Sequence, residues 1–143
     1  MSDAALAQSN LFPALSYDDA PAAIEWLCRA FGFTRRLVVP RPDGGVLHSE
    51  LSLGSGVIFD RSARPEEGRL SPRGLAGVHQ GLCVLVDDAD GHCARARAAG
   101  ATIVREPRDE EYGARGYQAR DPEGHSWYFG DYRPGKHWES SAG

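Results

Sequence analysis

Residues 112–132 read YGARGYQARDPEGHSWYFGDY and are the most informative segment of the chain for its architecture. The centre, Asp121-Pro122-Glu123-Gly124, is a tight-turn signal, because proline presets φ at the second turn position and glycine accepts a positive φ. The aromatic-rich segments 117–120 and 126–129 predict two antiparallel strands joined by this turn. A hairpin alone is marginal in water, so the rest of the chain must supply the sheet and helices against which it packs.

The composition indicates a globular protein of 143 residues, either one domain or two small similar halves. A net charge of −4 gives no support for binding to nucleic acid or to an anionic membrane. No apolar run approaches the length of a membrane span, and MSDAALAQSN lacks the basic and apolar regions of a signal peptide. Three cysteines without a CxxC pair are typical of reduced thiols, so we expect a cytoplasmic protein.

The first half of the chain predicts one βαβββ module over residues 11–61, after a flexible N-terminus at 1–10. Asp19 is a good N-cap and Pro21 suits the first turn, so a helix is expected from there to about Phe31. Its apolar residues recur at helical spacing. The strands of this module are predicted at 11–17, 33–39, 46–53 and 57–61.

The second half repeats the same order after a linker loop at 62–78 that lacks periodicity. Asp87-Asp88-Ala89 repeats Asp18-Asp19-Ala20 at an offset of 69 residues. The second module, 79–132, is predicted to contain strands at 80–86, 102–106, 117–120 and 126–129 and a helix at 89–99, with a loop at 107–116 and a flexible tail at 133–143. Two βαβββ units indicate an internal duplication and an α+β fold.

The chain resembles the vicinal oxygen chelate superfamily, the group of glyoxalase I, bleomycin-resistance proteins and extradiol dioxygenases. The segments that carry the resemblance are LSYDDAPAAIEWLCRAFGF, LVDDADGHCARARAAGAT and YGARGYQARDPEGHSWYFGDY. The resemblance implies two βαβββ modules forming a cupped mixed β-sheet, with helices on the outer face, a cavity for a small-molecule ligand, and a homodimer. It does not imply a particular reaction, because the family contains both binders and enzymes.

The resemblance also implies one divalent metal in the enzymes of the family, held by His, Gln or Glu on the first and last strands of each module. In this sequence those positions fall on Phe12, Gly81 and Tyr128, and near Ile58. None of these side chains suits a divalent cation, which prefers imidazole, carboxylate or thiolate. We therefore expect the usual metal site to be absent and no cofactor to be needed.

A displaced site is the alternative. His48 and Glu50 share one face of a predicted strand, and Asp60 on a neighbouring strand is a candidate third ligand. A catalytic metal usually has three protein ligands and an open position. The three residues therefore line a cavity, bind a ligand directly, or hold one divalent metal such as Zn, Ni, Mn or Fe.

Alternation along the last strand predicts that Tyr128 faces the cavity and offers a flat ring for stacking, while Trp127 and Phe129 face the helix. Gln118 and Arg120 share a face of the preceding strand, where Arg120 would meet a ligand carboxylate or form a structural salt bridge.

Two further predictions concern a loop near the cavity and a histidine on the second helix. Tyr112 and Arg115 lie in a glycine-containing loop that either closes over the cavity or serves the structure alone. His92 is expected to be exposed on the polar side of its helix.

The sequence thus predicts a metal-free, bleomycin-resistance-type protein that binds a small apolar or aromatic molecule. The alternative is a metal-dependent glyoxalase-like lyase, isomerase or dioxygenase with a displaced site at His48, Glu50 and Asp60. A regulatory or scaffold module with an empty cavity is a third possibility. Whether the protein catalyses a reaction stays open.

Overall fold

A computed structural model describes residues 9–135. Contacts divide the chain into two compact units, Met1–Gly74 and Leu75–Gly143, and this boundary lies inside the segment predicted as a linker. Each unit contains one βαβββ module, so the predicted α+β fold of two modules is confirmed. The flexible ends predicted at 1–10 and 133–143 lie largely outside the described residues.

The first module consists of β1 (Ala14–Tyr17), α1 (Ala20–Phe31), β2 (Thr34–Pro40), β3 (Val46–Leu53) and β4 (Gly56–Ser62). Its sheet has the order β1-β4-β3-β2, with β1 parallel to β4 and the other pairs antiparallel. β1 is shorter than the predicted strand, which began at Leu11.

Helix α1 forms where its end signals predicted it. The Asp19 carboxylate accepts a hydrogen bond from Ala22 N at 3.1 Å, and Gly32 ends the helix with φ of 88°. Ile24, Leu27 and Phe31 are almost fully buried and form its core-facing stripe. The sheet of this module therefore has one face under α1 and one face free of it.

The second module consists of β5 (Gly81–Leu85), α2 (Ala89–Ala98), β6 (Thr102–Asp109), β7 (Arg115–Arg120) and β8 (Ser126–Gly130). Its sheet order, β5-β8-β7-β6, repeats that of the first module. Asp88 caps α2 by accepting a hydrogen bond from Gly91 N at 3.0 Å. The repeated Asp-Asp-Ala signal thus starts a helix in both modules.

The β7–β8 hairpin has the predicted turn, and Gly124 has φ of 102°. Beneath the hairpin, Trp127 and Phe129 are 1% and 0% exposed on the face covered by α2. His92 belongs to the same packing: its ring lies 4.2 Å from that of Phe129, and its Nδ1 lies 2.6 Å from the Tyr117 hydroxyl. The prediction that His92 is exposed is therefore wrong, because the helix turns its ring toward the sheet.

The segment predicted as an unstructured linker carries local structure. A short 3-10 helix spans Pro65–Glu67, and Arg64 and Arg69 form a β-bridge around it. Ser71 is buried. No helix within residues 9–135 is long and apolar enough to cross a membrane.

Candidate functional site

One row of side chains crosses all four strands of the second sheet. Tyr128 on β8 pairs directly with Cys83 on β5 and with Gln118 on β7. Gln118 pairs in turn with Arg105 on β6. Directly paired residues point to the same face of a sheet, and for this row it is the face opposite α2. The fold therefore brings together residues that are as many as 45 positions apart in sequence (128 minus 83).

The row forms the floor of an open cavity of about 530 Å³, which lies wholly within the second module. The end of β6, the segment after it and the chain beyond β8 supply the remaining lining residues. We call this site the Glu110 cavity and define it by its lining residues: Cys83, Arg105, Arg108, Glu110, Tyr112, Gln118, Tyr128 and Tyr132.

Glu110 is the buried charge of the cavity, with a side chain only 7% exposed. Its carboxylate accepts hydrogen bonds from Arg105 Nη2 at 2.6 Å, Arg108 Nε at 3.0 Å and the Tyr128 hydroxyl at 3.1 Å. Burial by itself raises the pKa of Glu110, but the hydrogen bonds from the two arginines outweigh it, and the net pKa lies below the ordinary value. Glu110 is therefore an ionised structural centre at neutral pH.

Aromatic side chains form the walls. The Tyr112 hydroxyl lies 3.5 Å from that of Tyr128, and the Tyr112 ring meets the Tyr132 ring edge-on with centroids 5.3 Å apart. The Arg105 guanidinium lies 5.9 Å from the centre of the Tyr128 ring, at the outer range of a cation–π contact. Burial, and then the hydrogen bond with Tyr112, raise the pKa of Tyr128 well above its ordinary value. Its hydroxyl is therefore neutral and is the donor of the hydrogen bond to Glu110.

Three of the residues predicted for the site meet in this cavity, namely Tyr112, Gln118 and Tyr128. Arg115 does not: its guanidinium bonds both oxygens of Asp90, at 2.8 and 2.9 Å, and reaches Asp109 at 3.2 Å. Hydrogen bonds from these two carboxylates raise the pKa of Arg115. Arg115 thus joins its strand to α2 and to the end of β6. Arg120 is exposed and does not line the cavity.

His48 and Glu50 form a pair on the first sheet, as their spacing predicts. His48 Nε2 lies 2.9 Å from Glu50 Oε2, and the two side chains are 35% and 34% exposed. The His48 ring contacts Phe59 edge-on, with centroids 4.9 Å apart. This pair lies on the face that α1 does not cover.

Asp60 does not join that pair. It is fully buried and pairs in register with Leu15, a core residue beneath α1. Its backbone N–H donates to Ser49 Oγ at 3.1 Å, and Ser49 Oγ donates to its carbonyl at 2.5 Å. Asp60 therefore lies on the helix-covered face, and the structure does not assemble the triad of His48, Glu50 and Asp60.

The donors needed for the metal site of the family are also not gathered here. Within the described part of the chain, no three His, Cys, Asp or Glu side chains cluster as a metal would require. Two of the positions implied by the resemblance hold phenyl rings, those of Phe12 and Phe59. The two rings stack with centroids 5.5 Å apart. Phe59, rather than Ile58, is the counterpart of Tyr128, because Ala14 pairs with Phe59 as Cys83 pairs with Tyr128. Phenyl rings offer no lone pair to a divalent cation.

Arg105, Arg108 and Glu110 were not predicted for the site. Arg105 lay in the predicted strand 102–106 without being assigned to the cavity, whereas Arg108 and Glu110 fell in the predicted loop that began at Pro107. Proline lacks an N–H and usually ends a strand, but an edge strand tolerates it. β6 is one of the two edge strands of its sheet and continues to Asp109. Register shifts on both sides of Arg105 also break simple alternation. The one sequence signal was the density of arginine and glutamate in REPRDEE.

Comparison with known proteins identifies the fold family. The model of the Glyoxalase/Bleomycin resistance protein/Dioxygenase superfamily matches residues 11–129. An uncharacterized protein of Mycobacterium tuberculosis strain H37Rv is 34% identical over 128 residues, which cover 85% of this chain and 75% of that protein.

Solved structures agree with that match. TioX from Micromonospora sp. ML1 is 36% identical, with a TM-score of 0.69 over 87% of this chain and 99% of TioX. A glyoxalase/bleomycin resistance protein/dioxygenase family enzyme from Burkholderia phytofirmans is 21% identical, with a TM-score of 0.67 over 83% of this chain and 94% of that one, and shows the shared fold alone. Paired βαβββ modules, the family model and a relative above 30% identity all agree, and this chain belongs to the Glyoxalase/Bleomycin resistance protein/Dioxygenase superfamily.

Proposed function

We propose that this protein binds a small planar aromatic molecule in the Glu110 cavity, using side chains alone and no divalent metal. The observation that carries the proposal is the cavity itself, in which three tyrosines surround a row of polar groups on the open face of the sheet. Its volume of about 530 Å³ lies within the range of small-molecule sites. A flat ligand suits tyrosine walls, because offset aromatic pairs add about 0.5–1.5 kcal/mol beyond the burial of their area.

Metal-free binding is supported by the chemistry of the residues present. Phe12, Phe59, Gly81 and Tyr128 occupy the positions that the resemblance assigns to ligands. The displaced alternative is weakened by Asp60, which lies on the other face of its sheet. Orientation of the ligand would instead come from hydrogen bonds to Gln118, Tyr128 and Arg105.

The test is calorimetric titration of the protein, purified without chelators, with planar bicyclic compounds that include coumarin, quinoline and naphthoate. We expect at least one of them to bind, and Tyr128→Leu to weaken that binding by about tenfold through the loss of the ring. The matched control is Phe59→Leu, which alters the corresponding position of the first module. It should leave the affinity nearly unchanged.

Two results would contradict the proposal. One is the absence of binding across the whole panel by a folded protein. The other is an equal loss in Tyr128→Leu and Phe59→Leu, which would show that the ligand is not held by the second module in the way described.

A further inference from the structure

We infer that the ligand of the Glu110 cavity is an anionic aromatic compound, such as an aromatic carboxylate, and that Arg105 is the residue that recognises its negative group. This inference rests on the proposed function and adds the chemical class of the ligand and its specificity-determining residue.

The charge of the cavity favours an anion. Two of the lining residues, Arg105 and Arg108, are cationic, and Glu110 is the one acid in the lining set. Burial raises the pKa of the Cys83 thiol, and the pKa of Tyr128 is raised too, so these two groups stay neutral at physiological pH. Two positive charges and one negative charge leave the lining with an excess of one positive charge.

The Glu110 carboxylate is already engaged by donors on both of its oxygens. One oxygen accepts from Arg105 Nη2 and the Tyr128 hydroxyl, and the other accepts from Arg108 Nε. These donors hold the Glu110 carboxylate against the cavity wall, with its side chain 7% exposed. An incoming anion would therefore meet the arginine side chains rather than the carboxylate, which is the least exposed of the three groups.

Arg105 is the arginine with unused capacity in a buried position. Its side chain is 20% exposed, compared with 61% for Arg108. Its Nη1 is buried and has no hydrogen-bond partner among residues 9–135. A buried donor without an acceptor is costly, whereas a charge-assisted hydrogen bond from a guanidinium to a carboxylate is among the stronger ones. A small rotation of the buried guanidinium would bring this nitrogen to the cavity, where a ligand oxygen would complete the hydrogen bonding of Arg105.

The row across the sheet explains why the anion should be aromatic. The strands of Arg105 and Tyr128 are two inter-strand spacings apart, or about 10 Å, but their side chains converge, and the Arg105 guanidinium lies 5.9 Å from the centre of the Tyr128 ring. Gln118 lies between them in register. A bicyclic aromatic acid placed along this row would set its ring against Tyr128 and its carboxylate toward Arg105, with Gln118 as a further donor.

The test compares naphthoate with its neutral isostere naphthamide by calorimetry on the wild-type protein and two variants. We expect the wild type to bind naphthoate about tenfold or more tightly than naphthamide. Arg105→Gln should abolish this preference. Arg108→Gln is the matched control, because it removes the same charge and one hydrogen bond to Glu110 from the same cavity, and it should keep most of the preference.

If Arg105→Gln does not fold, Arg105→Lys replaces it. The lysine keeps the charge beside Glu110 but lacks the second guanidinium nitrogen, so most of the preference for naphthoate should still be lost.

Three other outcomes would overturn the inference, the assignment to Arg105 or the proposed function. Equal affinities of the wild type for naphthoate and naphthamide would overturn the inference while leaving an aromatic site in place. Equal losses of preference in Arg105→Gln and Arg108→Gln would indicate diffuse electrostatics and overturn the assignment to Arg105. No binding of either compound or of coumarin or quinoline would overturn the proposed function itself.

Discussion

At the scale of single residues, Glu110 and His92 show how neighbours change the role of a side chain. Glu110 stands in the acidic segment RDEEY, yet its carboxylate is buried against two arginines and a tyrosine. His92 belongs to a polar helix, yet its ring packs on Phe129 and bonds Tyr117. The Glu110 arginines are close in sequence, but Tyr128 and both partners of His92 come from distant strands, so no local pattern identifies these contacts.

Glu110 should make stability depend on pH. Its pKa is lowered in the folded protein, so the stabilisation is fully present above the unfolded-state pKa of about 4.3 and is lost as the pH falls through the lower folded-state value. We expect Glu110→Gln to lower the free energy of unfolding by about 1–3 kcal/mol at pH 7, since hydrogen bonds to a charged group are lost. This difference from the wild type should shrink as the pH falls below about 4. Urea denaturation across this pH range measures both quantities.

The control for this change is Glu106→Gln on β6, the strand that precedes Glu110. Glu106 pairs with Arg97 in an exposed position, so its replacement should have a small effect at every pH. A Glu110→Gln effect that stayed constant from neutral to acidic pH would refute the assigned role.

At the scale of secondary-structure elements, the Asp121 side chain stabilises the turn of the β7–β8 hairpin. Asp121 is buried, and its Oδ1 accepts hydrogen bonds from the backbone N–H groups of Glu123, Gly124 and His125 at 3.0–3.1 Å. Its Oδ2 accepts from Trp127 Nε1 at 3.1 Å. The carboxylate thus shapes the turn and anchors the largest core residue of the module, which places Tyr128 on the opposite face.

Replacement of Asp121 should therefore destabilise the protein more than an ordinary turn mutation does. Asp121→Ala leaves several buried donors unsatisfied, and we expect it to lower the free energy of unfolding by about 2–4 kcal/mol. Asp121→Asn retains an oxygen for the turn and should cost less. Chemical denaturation monitored by tryptophan fluorescence measures both changes. The interpretation fails if Asp121→Ala unfolds at the same denaturant concentration as the wild type.

At the scale of the whole molecule, the same backbone arrangement occurs in both modules with different side chains. In the first module Ala14 pairs with Phe59, and Leu37 pairs with Glu50. The corresponding pairs in the second module are Cys83 with Tyr128 and Arg105 with Gln118. The backbone register is thus repeated, but the open face carries different chemistry in each copy. The second copy has the arginine and tyrosine that line the Glu110 cavity.

The metal content of the intact protein tests the binding chemistry at this scale. We expect elemental analysis after purification without a His-tag or chelator to find well below one equivalent of Zn, Ni, Mn or Fe, because no three-donor cluster is formed by the described residues. His48→Ala should leave the metal content unchanged. Near-stoichiometric metal that disappears in His48→Ala would instead favour metal-dependent chemistry at the His48–Glu50 pair.

Local sequence signals were sufficient to predict the architecture of the chain. The two Asp N-caps, the glycine after each helix, the DPEG turn and the 69-residue offset predicted both modules and their element order, because caps, turns and periodicity depend on neighbours in sequence. The same local alternation placed Tyr128 and Gln118 on the open face, where the structure has them.

The composition of the candidate site depended on tertiary structure. Strand order put β6 at an edge of the sheet, which let it run through Pro107 and carry Arg108 to the cavity beside Arg105. Strand pairing likewise set Asp60 beneath α1, away from His48. Register and sheet order are long-range properties of the folded chain, so they decided which charged residues meet, while the sequence alone determined the modules on which those residues stand.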